Sequence, residues 1–189
     1  MSSFVKQSWA GLRVMLVFTV LLGLLYPALV WGVGQLVARD QAAGSLVSVD
    51  GRVVGSSLIG QQWSGDEWFH GRPSASDYSG DTSGGSNLSG SALADEVTKR
   101  ASAAGLDPAT APADALTASG SGLDPHISTA YADAQVARVA AARGLDPARV
   151  RALVAENTTG RQLGFLGQPH VDLLALNLAL ARPSGPSAG

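Results

Sequence analysis

Four side chains that could together hydrolyse an ester or amide bond lie within a short stretch of the chain: Ser119, Ser121, Asp124 and His126. A serine nucleophile needs a histidine base and a carboxylate that orients the histidine, and these groups normally come from distant parts of a chain. Asp124 directly precedes a proline, an arrangement typical of a helix start, where the carboxylate caps free N–H groups. We therefore interpret residues 117–127 as a turn with local side-chain-to-backbone hydrogen bonds. A hydrolase would need Ser119, Asp124 and His126 to converge.

The sequence shows no pattern typical of a metal or phosphate site. His70, His126 and His170 are far apart without regular ligand spacing, and the chain has no cysteine. Residues 83–90, rich in glycine and serine, could form a nest of backbone N–H groups for an anion. No Gly-Lys-Ser/Thr phosphate loop accompanies them, so an irregular loop is the simpler interpretation. We predict no catalytic residue, no metal and no tightly bound cofactor.

Charge is scarce and unevenly distributed. The 189 residues are 46% hydrophobic and only 15% charged, whereas ordinary soluble domains carry about 25% charge. The net charge of -2 gives no basic surface of the kind that nucleic-acid proteins show, so no nucleic-acid partner is expected. Lys6, Arg13 and Arg39 are the charged residues of the first 39 positions, and every acidic residue follows them.

Residues 14–38 form a run of 25 residues without a formal charge. As an α-helix this run would be roughly 37 Å long, longer than the hydrocarbon core of a bilayer. A cleaved signal peptide is the alternative, but its apolar part is shorter, and Leu36-Val37-Ala38 does not fit a small-x-small cleavage site. The sequence therefore predicts a retained transmembrane helix over residues 14–38.

The basic residues at the two ends of this run predict its orientation. Lys6 and Arg13 precede it, while Arg39 follows it beside Asp40. The more positive flank usually stays in the cytoplasm. We expect a single-pass protein of the cell (inner or plasma) membrane, with residues 1–13 in the cytoplasm and a folded domain, residues 39–180, outside.

Three residues within the run bear on how it packs against lipid and partner helices. Pro27 has no N–H to donate to the helix ladder and predicts a kink. Gly23 and Gly32 allow the close approach of another helix. These three residues are candidate interface positions.

The first part of the domain is predicted to contain β-structure. Two β-prone runs between residues 46 and 54 flank Asp50-Gly51, a dipeptide typical of a type I′ hairpin turn. A strand continuation is predicted over residues 57–63, followed by Trp68 and Phe69, which are expected to enter the core. Residues 71–91 are mostly glycine, serine and polar residues and predict an irregular loop.

The second part is predicted to be helical. Gly-Leu-Asp-Pro occurs at residues 105–108, 122–125 and 144–147, and in each copy the Asp can cap a helix whose first residue is the Pro. The sequence predicts helices over 91–104, 125–142 and 147–157 and a turn near 108–115. Residues 171–180 fit a helix capped by Asp172 and also an alternating strand; we prefer the helix. Residues 181–189 are predicted to be a disordered tail.

The predicted architecture is thus α+β: one N-terminal transmembrane helix, then a single extracytoplasmic domain with a small β-hairpin or sheet and several short helices. A membrane-anchored binding or sensor module unrelated to transport would fit this architecture.

Seven segments, which follow one another along the chain in the same order as in the family, resemble the C subunit of the Kdp potassium-transporting P-type ATPase, the KdpC family. They are Leu58-Ile-Gly-Gln61, Phe69-His-Gly-Arg-Pro-Ser-Ala75, Ser83-Gly-Gly-Ser-Asn-Leu88, Thr117-Ala-Ser-Gly-Ser-Gly-Leu-Asp-Pro-His-Ile-Ser128, Gln135-Val-Ala-Arg-Val-Ala140 with Ala142-Arg-Gly144, Thr159-Gly-Arg161, and Leu166-Gly-Gln-Pro169 leading into Leu176-Asn-Leu-Ala-Leu180. One departure follows Leu88, where the family usually continues Gly-Pro-Thr-Asn-Pro and this chain reads Ser89-Gly-Ser-Ala-Leu93.

The resemblance implies a non-hydrolytic accessory subunit of a high-affinity potassium uptake complex. Its partners would be a potassium-translocating channel-like subunit, a P-type ATPase subunit that hydrolyses ATP, and a small membrane peptide. The family is described as a catalytic chaperone that raises the affinity of the ATPase subunit for ATP through a ternary complex. Gln135 matches the glutamine that this description makes the nucleotide contact. Within the matching segments, the structural or interface candidates are Arg72, Pro73, Asn87, Asp124, Arg138 and Arg161.

That nucleotide contact conflicts with the orientation predicted above, because a domain outside the membrane meets little ATP. Two alternatives within the family are that the domain stabilises the assembly over the ion entrance, or that its acidic surface filters cations.

Overall fold

The computed structural model describes residues 3–182 and divides the chain into two compact units, residues 1–46 and 47–189. The first unit is helical and the second has mixed α+β structure, which confirms the predicted fold class. Most of the predicted tail, residues 183–189, lies outside the described residues. Ala181 is the last residue of the final helix, so any tail begins after it.

The first unit is a continuous helix of 35 residues, Ser3–Val37, long and apolar enough to cross a membrane. It comprises α1 (Ser3–Val20), a π-helical turn (Leu21–Leu25) and α2 (Tyr26–Val37), and a short α3 (Arg39–Ala42) follows. The N–H of Tyr26 donates to the carbonyl of Leu21, five residues earlier. Pro27 has no N–H, and a π-turn directly before it is one way to accommodate a proline within a helix. No residue of α1 or α2 is buried.

The second unit begins with the predicted hairpin, β1 (Leu46–Val49) and β2 (Arg52–Ser56). Asp50 and Gly51 have φ of 50° and 76°, as a type I′ turn requires, which confirms that prediction. The predicted strand over residues 57–63 is wrong: this segment is irregular. Gly60 donates its N–H to the carbonyl of Leu123 at 2.7 Å, and a Cβ at Gly60 would lie 2.5 Å from the Asp124 carbonyl oxygen. The segment thus lies against another loop instead of a strand.

A second, three-stranded antiparallel sheet has the order β3-β5-β4. Its strands are β3 (His126–Ile127), β4 (Thr158–Thr159) and β5 (His170–Asp172). The register places His126 opposite Asp172 and Thr159 opposite His170. These very short strands join the turn at residues 117–128 to the C-terminal part of the chain.

Two predicted helices are confirmed, α4 (Gly90–Ala104) and α7 (Pro147–Glu156). Asp146 caps α7 by accepting from the N–H of Ala148, as the Gly-Leu-Asp-Pro pattern predicts. Gly105 ends α4 in the left-handed conformation that favours glycine. The first Gly-Leu-Asp-Pro copy starts no long helix; residues 107–111 form a turn before the short α5 (Ala113–Leu116).

The predicted helix over residues 125–142 is α6 (Thr129–Arg143), and its predicted start is wrong. Ser128 is the cap, because its hydroxyl accepts from the N–H of Tyr131, and Asp124 does not cap this helix. Pairing of residues 126–127 with β5 keeps the chain extended at that point. The 171–180 ambiguity is resolved in two parts: β5 ends at Asp172, which then caps α8 (Leu173–Ala181).

The core lies where α6, α7 and α8 pack around β5. Phe69 enters this core as predicted and is fully buried, whereas Trp68 is only half-buried. The largest fully buried apolar side chains are Phe69, Ile127, Leu173, Leu176, Val136, Val139, Val150 and Val171. The polar residue buried among them is Asn177.

Candidate functional site

The 65–70 segment is held by side chains instead of by a sheet. Each of its six backbone carbonyls accepts a hydrogen bond from a side chain of α6 or α8. The pairs are Gly65 and Asp66 with Arg138 Nη1, Glu67 with Arg143 Nε, Trp68 with Arg138 Nη2, Phe69 with Asn177 Nδ2, and His70 with Gln135 Nε2. The donor-to-oxygen distances lie between 2.6 Å for Arg143 and 3.4 Å for the Gly65 bond. The helices therefore fix an otherwise irregular segment.

Two of these donors are amides that bind both polar groups of one residue, as a neighbouring strand would. Asn177 accepts from the Phe69 N–H at 3.0 Å and donates to the Phe69 carbonyl at 2.9 Å. Gln135 accepts from the His70 N–H at 2.7 Å and donates to the His70 carbonyl at 3.1 Å. We call Asn177 and Gln135 the amide clamps.

The Gln135 oxygen also accepts a 2.7 Å bond from Arg138 Nη2. Gln135 and Arg138 are three residues apart on α6 and so lie on one face of the helix. Arg138 directs its other N–H groups to the carbonyls of the 65–70 segment and lies 3.8 Å from the Asp66 carboxylate. Burial lowers the pKa of the Arg138 guanidinium below its ordinary value. The structure thus brings together two predicted residues, Gln135 and Arg138, around backbone groups that the sequence did not connect to them.

A cleft of about 640 Å³ opens beside the amide clamp of Gln135. Its lining includes Trp63, Pro73, Tyr78, Tyr131, Gln135 and Arg138. Burial raises the pKa of Tyr131 to about 12, so its hydroxyl stays neutral at physiological pH. A volume of this size is in the range of small-molecule sites.

Two groups of the cleft that could contact a nucleotide already have partners within the protein. Both hydrogen bonds accepted by the Gln135 oxygen come from within the protein. Arg138, which could neutralise a phosphate, donates instead to backbone carbonyls and to Gln135. A nucleotide contact by Gln135 stays a prediction. Among residues 3–182, no group of three or more His, Asp or Glu side chains is placed to hold a metal ion.

The predicted turn at residues 117–127 carries a different arrangement from a hydrolytic triad. The carboxylate of Asp124 binds Arg72 Nη1 at 3.1 Å and accepts the N–H of His126 at 3.0 Å. The hydroxyl of Ser121 accepts from the N–H of Leu123, whereas the hydroxyl of Ser119 is buried without a hydrogen-bond partner among the described residues. Local hydrogen bonds hold the turn, as the sequence indicated. The ion pair with Arg72 and the hydrogen bonds that the turn accepts from Gly60, Ser83 and Gly84 were not predicted.

Residues 83–90, the other loop considered for anion binding, pack against this turn. The N–H of Gly84 and the hydroxyl of Ser83 both donate to the carbonyl of Ser121. Asn87 has a φ of 52°. Because the Gly84 N–H points to a protein carbonyl, an anion nest would lack that donor.

Two histidines of adjacent strands lie in contact beside Asp124. The rings of His126 and His170 meet edge to face with centroids 4.3 Å apart, and His126 Nδ1 is 3.8 Å from Asp124 Oδ1. Burial, and next the His170 imidazole, lower the pKa of His126 below 6.5. Burial also lowers the pKa of His70, whose Nε2 lies 2.8 Å from the Gly65 carbonyl oxygen.

These lowered pKa values predict that the domain loses stability on acidification. Because the unfolded histidines bind protons near pH 6.5 and the folded ones only at lower pH, the free energy of unfolding should fall as pH drops below 6.5. The loss should level off below the folded pKa values. Urea titrations of the full chain in detergent between pH 7.5 and 5.5, followed by tryptophan fluorescence, would measure it.

The double variant His70→Gln, His126→Gln is the matched control for this prediction and should show a flatter pH dependence. A free energy of unfolding that rises from pH 7 to 6, or an unchanged slope in the double variant, would contradict the assignment.

Two residues of this site, Asn177 and Arg143, are not among the candidates predicted from the sequence. Arg143 donates to the carbonyls of Glu67 and Leu180 and stacks on Trp68, with its guanidinium carbon 4.2 Å from the ring centroid. A single Asn within a run of Leu and Ala is the signal that could have identified Asn177, because buried polar side chains in apolar helices need a partner. Nothing local signals the role of Arg143.

Within residues 3–182, one apolar helix long enough to cross a membrane is joined to one folded α+β domain, an architecture typical of membrane-anchored proteins. The family model described as "K+-transporting ATPase, c chain" (KdpC) matches residues 8–182. A potassium-transporting ATPase KdpC subunit of Kineococcus radiotolerans is 52% identical over 188 residues, covering 95% of both chains. KdpC subunits of Sorangium cellulosum and Koribacter versatilis are 53% and 47% identical, covering 90% and 87% of this chain and 94% and 88% of theirs.

The chain therefore belongs to the KdpC family of potassium-transporting ATPase subunits, and the resemblance seen in the sequence is confirmed.

Proposed function

We propose that this protein is a non-hydrolytic accessory subunit that assembles and stabilises an ATP-driven potassium uptake complex. Family membership supports a place in a potassium-transporting ATPase. The finer proposal includes three partners: a potassium-translocating channel-like subunit, a P-type ATPase subunit that hydrolyses ATP, and a small membrane peptide.

The observation that carries this proposal is the uncovered apolar helix. Its large side chains, among them Leu22, Leu29 and Trp31, are exposed in the single chain. Such a surface is stable only when lipid or other transmembrane helices cover it. A helix of this kind ties the domain to a membrane complex without itself carrying a reactive group.

The amide clamps favour a role in assembly of the complex, and they do not favour direct binding of ATP by this chain. The side-chain oxygen of Gln135 accepts hydrogen bonds from the His70 N–H and from Arg138. Its role is therefore to fix the 65–70 segment. If the chain is also a catalytic chaperone, the ATPase subunit would bind the ATP. The chain would then raise the ATP affinity of that subunit by contacting the subunit, without contacting ATP.

Co-purification of the tagged full chain from native membranes tests the proposal. We expect the potassium-translocating and ATPase subunits to be recovered with it, and the purified chain alone to hydrolyse no ATP. Recovery of the chain as a lone monomer would contradict the proposal and favour a membrane-anchored sensor or binding module.

The proposed orientation makes a separate prediction. Lys6 and Arg13 precede the uncharged run at residues 14–38, Arg39 follows it directly, and the ten remaining basic side chains lie farther along the chain. Trypsin added to sealed spheroplasts should therefore degrade the folded domain and leave an N-terminal tag protected, because the more positive flank stays inside. Lysed spheroplasts, in which the tag is cleaved as well, are the control. A domain that resists trypsin until lysis would reverse the orientation and restore access of Gln135 to cytoplasmic ATP.

A further inference from the structure

The loop at residues 161–167 presents apolar side chains to solvent outside the site described above. Leu163, Phe165 and Leu166 are 82%, 69% and 48% exposed. Contiguous exposed apolar side chains of this size on a folded domain typically mark an interaction surface. Two of the segments that resemble the family, Thr159–Arg161 and Leu166–Pro169, overlap the two ends of this loop, and neither belongs to the core cluster.

The loop is held in one shape. Gln162 and Leu166 each donate an N–H to the carbonyl of the other at 2.9 Å, and Gly164 donates to the carbonyl of Arg161 at 3.2 Å. Leu163 has a φ of 51°, a left-handed conformation that is unfavourable for a residue other than glycine. The loop thus displays its apolar side chains on a fixed frame, which lowers the entropic cost of docking into a pocket of fitted shape.

The polar groups of the loop indicate that the loop contacts a protein surface and not lipid. The carbonyls of Leu163, Gly164 and Phe165 accept no hydrogen bond within residues 3–182. In hydrocarbon such groups would stay unpaired, whereas the rim of a protein pocket can supply donors. Arg161 reaches Gln168 Oε1 at 3.0 Å and has no carboxylate partner among the described residues, so its charge is left to pair with an acidic group.

We propose that the 161–167 loop is a docking knob, which inserts Leu163 and Phe165 into an apolar pocket of a partner subunit with an acidic side chain at its rim for Arg161. The proposal rests on the proposed function, since it places this pocket on another subunit of the potassium-transporting ATPase.

The absence of cysteine from the chain allows a direct test. Phe165→Cys introduces a single thiol at the tip of the knob, and Leu58→Cys introduces a matched thiol at another apolar position, 59% exposed. Each full-length variant is treated with a membrane-impermeant maleimide in four states: the purified chain in detergent, the chain in vesicles of phosphatidylethanolamine and phosphatidylglycerol, the co-purified complex, and the unfolded chain. We expect the Phe165→Cys thiol to lose its labelling only in the complex, while the Leu58→Cys thiol is labelled in all four states.

The other outcomes overturn the proposal. Equal labelling of the Phe165→Cys thiol in the free chain and the intact complex would show that no partner covers the knob. Protection in vesicles without partners would assign the knob to lipid, and protection in detergent alone would assign it to a second copy of the chain. Protection of both thiols in the complex would mean that cover is not specific to the knob. If no partner subunit co-purifies even with the wild-type chain, the proposed function is wrong, and the docking proposal is wrong with it.

A binding measurement complements the labelling. The double variant Leu163→Ser, Phe165→Ser should bind the partner subunits about thirtyfold more weakly, the effect of losing a well-buried hot-spot side chain. The pair Val53→Ser, Leu58→Ser, both 59% exposed in the wild type, should bind normally. Unchanged urea midpoints in both variants would show that folding is intact, and normal binding by the knob variant would then overturn the proposal.

Discussion

Replacing Asn177 by leucine should destabilise the domain by about 3 to 5 kcal/mol, because it leaves two buried backbone groups of Phe69 without a partner. Asn177 is fully buried and binds both the N–H and the carbonyl of Phe69. Leucine fills a similar volume but offers neither a donor nor an acceptor. Urea unfolding of the full chain in detergent, followed by tryptophan fluorescence, measures the loss.

Gln135→Leu is the matched variant, since Gln135 binds His70 in the same way. Gln135 borders the cleft, so water can replace part of what the amide supplied, and we expect a smaller loss of about 1 to 2 kcal/mol. If Asn177→Leu lowers the free energy of unfolding no more than Gln135→Leu does, the greater burial of Asn177 does not make its amide clamp contribute more to stability, and the prediction is contradicted. If Gln135→Leu instead keeps full stability while the complex loses ATP affinity, the nucleotide contact implied by the family would be supported.

Replacing Gly23 or Gly32 by leucine should prevent assembly of the complex while the chain still inserts into the membrane. A Cβ at Gly23 would meet only Thr19 Cγ2, at 3.9 Å, and a Cβ at Gly32 would meet nothing within 4 Å. The isolated helix therefore has room for the larger side chain, and a clash can arise only with a partner helix, whose packing drives association in lipid. Co-purification yield and growth on low potassium are the measurements.

The two variants should be made separately. The glycines are nine residues apart, about two and a half turns of a regular α-helix, which would place them on opposite sides. The π-helical turn that contains Gly23 changes this angle. Leu22→Ala, at an exposed position beside Gly23, controls for substitution as such. Wild-type yields for both leucine variants would show that the helix docks by another face, or that the folded domain carries the assembly.

Local sequence signals predicted the elements that short-range interactions determine. The long uncharged run predicts a membrane helix, Asp50-Gly51 predicts the hairpin turn, and Asp146 before Pro147 predicts the start of α7. Each of these three features depends on residues that are close together in the sequence, so each can be predicted without knowledge of the fold. Asp124 shows the limit of this reasoning: it has the same local pattern as Asp146, yet it pairs with Arg72 while Ser128 caps α6.

What only the tertiary structure decided are the partners of polar side chains far apart in sequence. Gln135 and Arg138 bind a segment 65 to 73 residues away, and Asn177 binds Phe69 across 108 residues. An amide or guanidinium pairs with whichever unpaired backbone group the packing of α6, α7 and α8 brings within about 3 Å. The sequence by itself therefore determined the long apolar helix, the α+β class and the family. The site depends on long-range hydrogen bonds, because composition and periodicity record which side chains are polar but not which buried carbonyl each one reaches.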